Sequence, residues 1–134
     1  MFVIADVVFK PSSSHKTAHL LFANQTHSKN IFVLKKDEKI PRTPIENIDA
    51  LVTNRQDVYL MIRSADCQAI LICDPVTRTV AAVHSGWRGS VQNILGETIR
   101  VMIREFGCRV TDLFVAVSPS IGPCCQIFTD PIHE

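Results

Sequence analysis

The sequence predicts a mixed α/β fold in which short strands form sheets and a helix covers one sheet face. Short apolar segments rich in β-branched residues recur between turn-forming residues, and one later stretch changes to the three- and four-residue spacing of an amphipathic helix. The chain has 134 residues and 46% hydrophobic content, which suffices for one packed core. Residues 1–134 are therefore expected to form a single domain.

Strands are predicted wherever β-branched and aromatic residues are concentrated between turn-forming residues. In order along the chain they cover residues 2–9, 18–23, 30–34, 50–53, 58–62, 68–73, 79–83 and 112–117. The connection 24–29 has turn chemistry, which places His27 on a loop. Residues 35–47 are charged and contain prolines, so they are predicted to form a surface excursion.

A helix is predicted over residues 90–106, where the period of the pattern changes. The positions that line one face of this amphipathic helix are Val91, Ile94, Leu95, Thr98, Ile99, Met102, Ile103 and Phe106. Gly107 is a natural end for this helix. Residues 118–123, Ser-Pro-Ser-Ile-Gly-Pro, predict a rigid turn because the prolines fix their own φ angles.

Composition excludes several classes of function. The net charge of +1 and the absence of a basic run give no electrostatic basis for binding nucleic acid. No apolar stretch is long enough to span a membrane, and residues 1–9 lack the features of a signal peptide. Five cysteines, of which Cys124 and Cys125 are adjacent, suit reduced thiols better than a disulfide framework. These features predict a cytoplasmic protein.

A cysteine and a histidine flank the hairpin predicted from residues 68–73 and 79–83. Because a hairpin brings its outer ends together, Cys67 and His84 are expected to lie side by side at its open end. They could bind a metal together, act as nucleophile and base, or simply be two core residues. Cysteine is among the most buried residue types, so two core residues are the default interpretation.

The neighbours of this pair favour a functional interpretation. Asp66 directly precedes Cys67, and Arg88, Gly89 and Ser90 stand at the predicted helix start. A helix N-terminus offers unpaired amide hydrogens, so Arg88 and these amides could receive an anion such as phosphate. Alternatively, Ser90 is an ordinary N-cap residue and Arg88 is a surface salt-bridge partner.

Four motifs share their order and spacing with a known family. Residues 48–54 (Ile-Asp-Ala-Leu-Val-Thr-Asn), 64–67 (Ser-Ala-Asp-Cys), 82–89 (Ala-Val-His-Ser-Gly-Trp-Arg-Gly) and 120–125 (Ser-Ile-Gly-Pro-Cys-Cys) resemble the YfiH family. Its members are also called laccase-domain proteins, multicopper polyphenol oxidases or purine nucleoside phosphorylases. Residues 24–27 (Asn-Gln-Thr-His) are similar to that family's Gln-Val-His segment. The resemblance implies a layered αββα sandwich of the YfiH-like cysteine hydrolase type.

The resemblance also implies a catalytic zinc held by His27, Cys67 and His84. A site with three protein ligands leaves a fourth coordination position open for water or substrate, as catalytic zinc requires. Cys67 and His84 are thereby implied to be catalytic, with Asp66 as a candidate for proton transfer or for support of the ligands. Asp66 could equally accept backbone hydrogen bonds that shape the turn at Cys67.

Because members of that family act on purine nucleosides, the resemblance implies this substrate class together with phosphate. The implied reaction is phosphorolysis of the N-glycosidic bond of adenosine, inosine or methylthioadenosine-type nucleosides and, in some members, hydrolytic deamination of adenosine. Arg88, Gly89 and Ser90 would then bind the phosphate.

Three alternatives stay open. A copper-dependent polyphenol oxidase follows from the family's older name, but five histidines are too few for a multicopper centre. A metal-free cysteine hydrolase would use Cys67 as nucleophile and His84 as base. A shortened, inactive relative could instead serve as a binding or regulatory subunit.

The length of the chain predicts association. Usual members of the family carry longer N-terminal and C-terminal portions than this chain does. A sheet that lacks its later strands exposes an unpaired edge and an apolar face, which calls for another strand or a partner. We therefore expect self-association or a partner chain.

Overall fold

The predicted strands form two stacked β-sheets in the computed structural model, which describes residues 4–9 and 19–125. In chain order the strands are β1 (Ile4–Phe9), β2 (His19–Asn24), β3 (Ile31–Leu34), β4 (Ile45–Glu46), β5 (Ala50–Thr53), β6 (Val58–Ser64), β7 (Gln68–Asp74), β8 (Thr79–Ser85) and β9 (Phe114–Val117). The helices are α1 (Trp87–Val91) and α2 (Ile94–Phe106), and a 3-10 turn covers Val110–Asp112.

The order of strands in the sheets differs from their order along the chain. The first sheet has the order β1-β6-β2-β4, and the second has the order β3-β5-β8-β7-β9. Pairing is antiparallel along the β5-β8-β7-β9 run and between β1 and β6, and it is parallel in β2-β4, β2-β6 and β3-β5. Because β2 and β3 lie in different sheets, the connection that carries His27 crosses one end of the sandwich.

Two apolar layers hold the sandwich together. The layer between the sheets contains Leu21, Ala23, Leu34, Leu51, Val58, Leu60, Ile62, Ala69, Val80 and Ala82. The layer between the second sheet and α2 contains Ala50, Val52, Ile70, Ile72, Ala81, Val83, Ile94, Val101, Met102 and Cys108. Every residue of β8 is buried, and alternate residues along it belong to opposite layers. The strand that carries His84 is therefore fixed by packing on both faces.

The prediction of one helix over residues 90–106 is wrong at its start. Two helices cover this region, because Asn93 adopts the left-handed conformation with φ of 59° and separates them. The Asn93 side chain accepts a hydrogen bond from the Gly96 amide at 3.2 Å and so caps α2. The predicted end is confirmed, since Gly107 has φ of 71° and its amide donates to the Ile103 carbonyl at 3.0 Å.

The predicted mixed α/β sandwich is confirmed. Among the described residues the layer order is sheet, sheet, helix, because α2 packs on one outer face only. Each strand lies within two residues of its predicted bounds, although residues 112–117 begin as the 3-10 turn and the excursion 35–47 contains β4. The predicted strand positions at residues 2, 3 and 18 lie outside the described residues. No helix in the described ranges is long and apolar enough to cross a membrane.

Candidate functional site

Three potential metal ligands converge at one end of the sandwich. The ligand atoms of His27, Cys67 and His84 all lie within 4.8 Å of one another. The Sγ atom of Cys67 is 3.7 Å from His27 Nε2, and the two imidazole rings meet edge to face with centroids 4.9 Å apart. The expected hairpin is present, and its register pairs Ala69 with His84, which places Cys67 beside His84. Two imidazoles and a thiol from three separate segments therefore form one cluster.

A buried carboxylate, Asp49, organises this cluster. Its side chain has 0% exposure, and its Oδ1 lies 2.8 Å from His84 Nδ1. Burial acts to raise the pKa of Asp49, but hydrogen bonds from His84 and Ser28 outweigh it and hold this pKa well below its usual range. An ionised Asp49 accepts a hydrogen bond from His84 Nδ1–H, which leaves Nε2 as the nitrogen that can bind a metal.

The same carboxylate shapes the loop that carries His27. The backbone amides of Thr26, His27 and Ser28 donate to the Asp49 carboxylate at 3.2, 3.0 and 2.7 Å, and the Ser28 hydroxyl donates at 2.7 Å. His27 has φ of 60°, a left-handed conformation that is uncommon for residues other than glycine. Converging amides that bind one anion can stabilise such a conformation. Asp49 thus positions both histidines.

Gly86 makes room for the cluster. A Cβ atom at this position would lie 2.6 Å from His27 Cδ2 and 3.0 Å from Cys67 Sγ. These separations are shorter than van der Waals contact, and the first of them involves a ring whose loop is held by Asp49. Glycine is therefore required here because neighbouring side chains approach closely. The backbone conformation does not require it, since a φ of −72° suits any residue.

The environment of Cys67 does not favour a thiolate by itself. Partial burial raises the pKa of the Cys67 thiol, and the negative charges of Asp66 and Asp49 raise it further. Nucleophilic cysteines usually have a lowered pKa, produced by a nearby cation or a helix N-terminus. A cation bound beside the sulfur would provide the missing stabilisation of the charged form.

Two cavities meet at Cys67. The first has a volume of about 690 Å³ and is lined by all three potential ligands together with Arg63 and Asp66. The second has a volume of about 590 Å³ and lies between Trp87 and the segment that contains Ile121. Both volumes are within the range typical of sites for small molecules. A small ligand in the first cavity would reach the cluster directly.

Asp66, predicted from the sequence as a catalytic or supporting residue, is exposed and lines both cavities. The turn at Cys67 is shaped by two hydrogen bonds that do not involve the Asp66 carboxylate. The Ser64 hydroxyl donates to the Cys67 carbonyl, and the Ile121 amide donates to the Asp66 backbone carbonyl at 2.9 Å. The carboxylate of Asp66 is thus placed to contact a ligand in either cavity.

The predicted phosphate-binding residues are arranged differently from the expectation. Ser90 lies inside α1, where its amide donates to the Gly86 carbonyl at 2.8 Å and its hydroxyl to the same carbonyl at 3.0 Å. Gly89 is buried, and the Arg88 guanidinium lies 5.2 Å from the Trp87 ring centroid. The Ser90 amide is therefore occupied within the helix, and Arg88 lines neither cavity.

The sequence pattern alone did not identify Asp49 or Arg63 as site residues. Asp49 lies directly before β5, inside one of the motifs that carry the family resemblance. A signal was present there, because an acidic residue at the edge of a fully buried strand needs hydrogen-bond donors or a cation.

A comparison with known families matches residues 8–134 to the family described as multi-copper polyphenol oxidoreductase laccase. The chain belongs to this family. The resemblance to YfiH proteins is also confirmed by a crystal structure of the hypothetical protein YfiH from Bacillus licheniformis. That structure is 31% identical with a TM-score of 0.75, over 83% of this chain and 44% of the solved one.

Two similar relatives have names that state an activity. The mouse protein named purine nucleoside phosphorylase LACC1 is 37% identical over 105 residues, which cover 78% of this chain and 23% of the relative. A protein from an unknown prokaryotic organism, named adenosine deaminase RL5, is 32% identical over 120 residues, which cover 86% of this chain and 45% of the relative. This chain therefore spans less than half the length of these relatives.

Replacing Asp49 with asparagine should lower the free energy of unfolding by about 2–4 kcal/mol at pH 7, because an amide nitrogen would then face buried donors. The folded-state pKa of Asp49 is lowered, so its contribution is present above about pH 4 and is lost as the pH falls further. Urea unfolding of Asp49→Asn should show a weaker pH dependence in this acid range. Exposed Asp37 provides the control, and an Asp49→Asn variant as stable as Asp37→Asn would contradict the assigned role.

Proposed function

We propose that this chain forms the metal-binding part of a zinc-dependent purine nucleoside enzyme. The proposed reactions are phosphorolysis of the N-glycosidic bond of adenosine, inosine or methylthioadenosine-type nucleosides, and hydrolytic removal of the 6-amino group of adenosine. The observation that supports this most is the convergence of His27, Cys67 and His84 within 4.8 Å. The names of the relatives supply the substrate class and both reactions.

The donor set fits zinc. Zinc binds thiolate sulfur at about 2.3 Å and imidazole nitrogen at about 2.0–2.1 Å in tetrahedral geometry, so a sulfur and a nitrogen on one ion lie about 3.5 Å apart. The separation of 3.7 Å between Cys67 Sγ and His27 Nε2 is close to this value. His84 Nδ1 is bonded to Asp49, the outer partner that metal-binding histidines usually have.

The roles proposed for the chain's own residues follow from their positions. A zinc ion held by His27, Cys67 and His84 would supply a Lewis acid to the reaction. Asp49 holds His84 and the His27 loop in place, so the ligands need little rearrangement when the ion binds. The cavity of about 690 Å³ accommodates the nucleoside against the ligands. Asp66, exposed on both cavities, is proposed to carry the proton to or from the reacting nucleoside.

The alternatives are less well supported. The family description favours copper, but the described residues contain one group of three ligand atoms, which fits a single ion rather than a multicopper centre. A metal-free hydrolase needs a Cys67 thiolate, and the pKa of this thiol is raised. A binding or regulatory subunit without turnover is the third alternative, and an assay of phosphate-dependent base release distinguishes it.

Compartment and association are also proposals. All five cysteines lie in the described residues and are free thiols, as a reducing cytoplasm would keep them. Strand β9 is an edge of the second sheet, and its residues are exposed, including Phe114, Val115 and Val117. An exposed apolar edge supports the prediction of self-association or of a partner chain.

The metal and the activity can be tested together. We expect the purified protein to contain about one zinc per chain and to release hypoxanthine from inosine only when phosphate is present. Cys67→Ala should weaken zinc binding more than about 100-fold, since even loss of an outer partner costs about 10–100-fold. Exposed Cys124→Ser is the control. Zinc bound equally by both variants, or chelator-resistant base release, would refute the proposal.

Gly86→Ala should disrupt the site without changing a ligand. The added methyl would overlap His27 and Cys67, so zinc affinity should fall about tenfold or more, with the fold retained by circular dichroism. Gly122→Ala is the matched control, because the contact of a Cβ there with the described residues is with Cys124 Sγ, at an ordinary 3.6 Å. If Gly86→Ala binds zinc as tightly as Gly122→Ala, the three side chains do not form the binding site.

A further inference from the structure

The side chain of one arginine lines the same cavity as the three potential ligands. Among the described residues that line the cavity of about 690 Å³, Arg63 is the one lysine or arginine. We propose that Arg63, rather than Arg88, binds the phosphate that attacks the nucleoside. This assignment rests on the proposed phosphorolysis, and it names the chain's own anion-binding group for that reaction.

The backbone of Arg63 is held at the edge of the cavity by a side chain. The Gln25 amide group donates to the Arg63 carbonyl at 2.8 Å, and the Gln25 side-chain oxygen accepts from the Arg63 amide at 2.7 Å. Gln25 follows β2 directly and precedes His27 by two residues. The two bonds extend the β2-β6 pairing beyond its last backbone partners and link the His27 loop to Arg63. Arg63 is therefore fixed relative to the metal ligands at its backbone.

The charge and shape of Arg63 suit phosphate. Its side chain is exposed and remains able to reorient, whereas its Cα is fixed by Gln25. A guanidinium group presents paired N–H donors that match two phosphate oxygens, and it stays charged at every relevant pH. Arg88 instead stacks on Trp87 and lines neither cavity that borders Cys67. The structure thus favours the arginine on β6 over the arginine in α1.

Phosphate is the co-substrate and the nucleophile in the proposed step. A phosphate oxygen forms a bond to the anomeric carbon of the ribose, and the bond from that carbon to the purine nitrogen breaks. The electron pair of the broken bond and the proton released by the phosphate both end on the purine. Arg63 would hold the phosphate in the same cavity as the ligand cluster, so that attack occurs within one bound complex.

The test compares arginine variants in two measurements. For Arg63→Gln we expect the Kd of inorganic phosphate, measured by phosphorus NMR titration of the full chain, to rise about tenfold or more. The KM for phosphate should rise in parallel, while the zinc content and the KM for inosine stay as in the wild type. The phosphate Kd of Arg63→Lys should lie between those of the wild type and Arg63→Gln, since lysine keeps the positive charge and lacks the paired donors. The exposed Arg100 of α2 provides the control, since Arg100→Gln removes a positive charge away from the cavity.

Several results would overturn the assignment of Arg63. A phosphate Kd within about twofold of the wild type in Arg63→Gln overturns it, as does no phosphate binding by the wild type. The assignment is also overturned if the phosphate Kd rises in Arg88→Gln and not in Arg63→Gln. It is overturned as well if the Kd rises as much in Arg100→Gln as in Arg63→Gln. Phosphate binding that depends on Arg63 without any nucleoside turnover would support the subsite and refute the proposed phosphorolysis.

Discussion

The interaction on which the site depends is the set of hydrogen bonds made by one buried carboxylate. Asp49 has 0% side-chain exposure, and its charge is balanced by three consecutive backbone amides, a hydroxyl and the His84 imidazole. A buried carboxylate without such donors would be strongly destabilising. Because these donors come from the loop after β2 and from β8, the sandwich and the site form together.

This constraint explains why residues far apart in sequence meet with little freedom. Burial on both faces fixes β8 and therefore His84, Asp49 fixes the His27 loop, and the hairpin register fixes Cys67. Gly86 then allows His27 and Cys67 to approach closely. The site is preorganised: folding already brings the three side chains together, so that binding of an ion would not have to provide the free energy for this step.

Local patterns in the sequence were enough to locate most elements. The apolar segments of β7 and β8 and the turn residues between them predict the hairpin. The proximity of Cys67 and His84 follows from that hairpin. The sequence did not reveal that consecutive strands enter different sheets, because sheet assignment depends on long-range packing. The break at Asn93 was hidden within an uninterrupted apolar period. The hydrogen-bond donors of Asp49 could not be read from the sequence because most of them are backbone amides, which leave no pattern there.

X-ray absorption spectroscopy at the zinc edge of the purified protein tests the central claim most directly. The proposed centre predicts one sulfur neighbour at about 2.3 Å, two imidazole nitrogens at about 2.0–2.1 Å and one further light atom. A zinc shell made only of oxygen and nitrogen atoms would contradict it. Two or more sulfur neighbours would also contradict it, since they would place the ion at other cysteines.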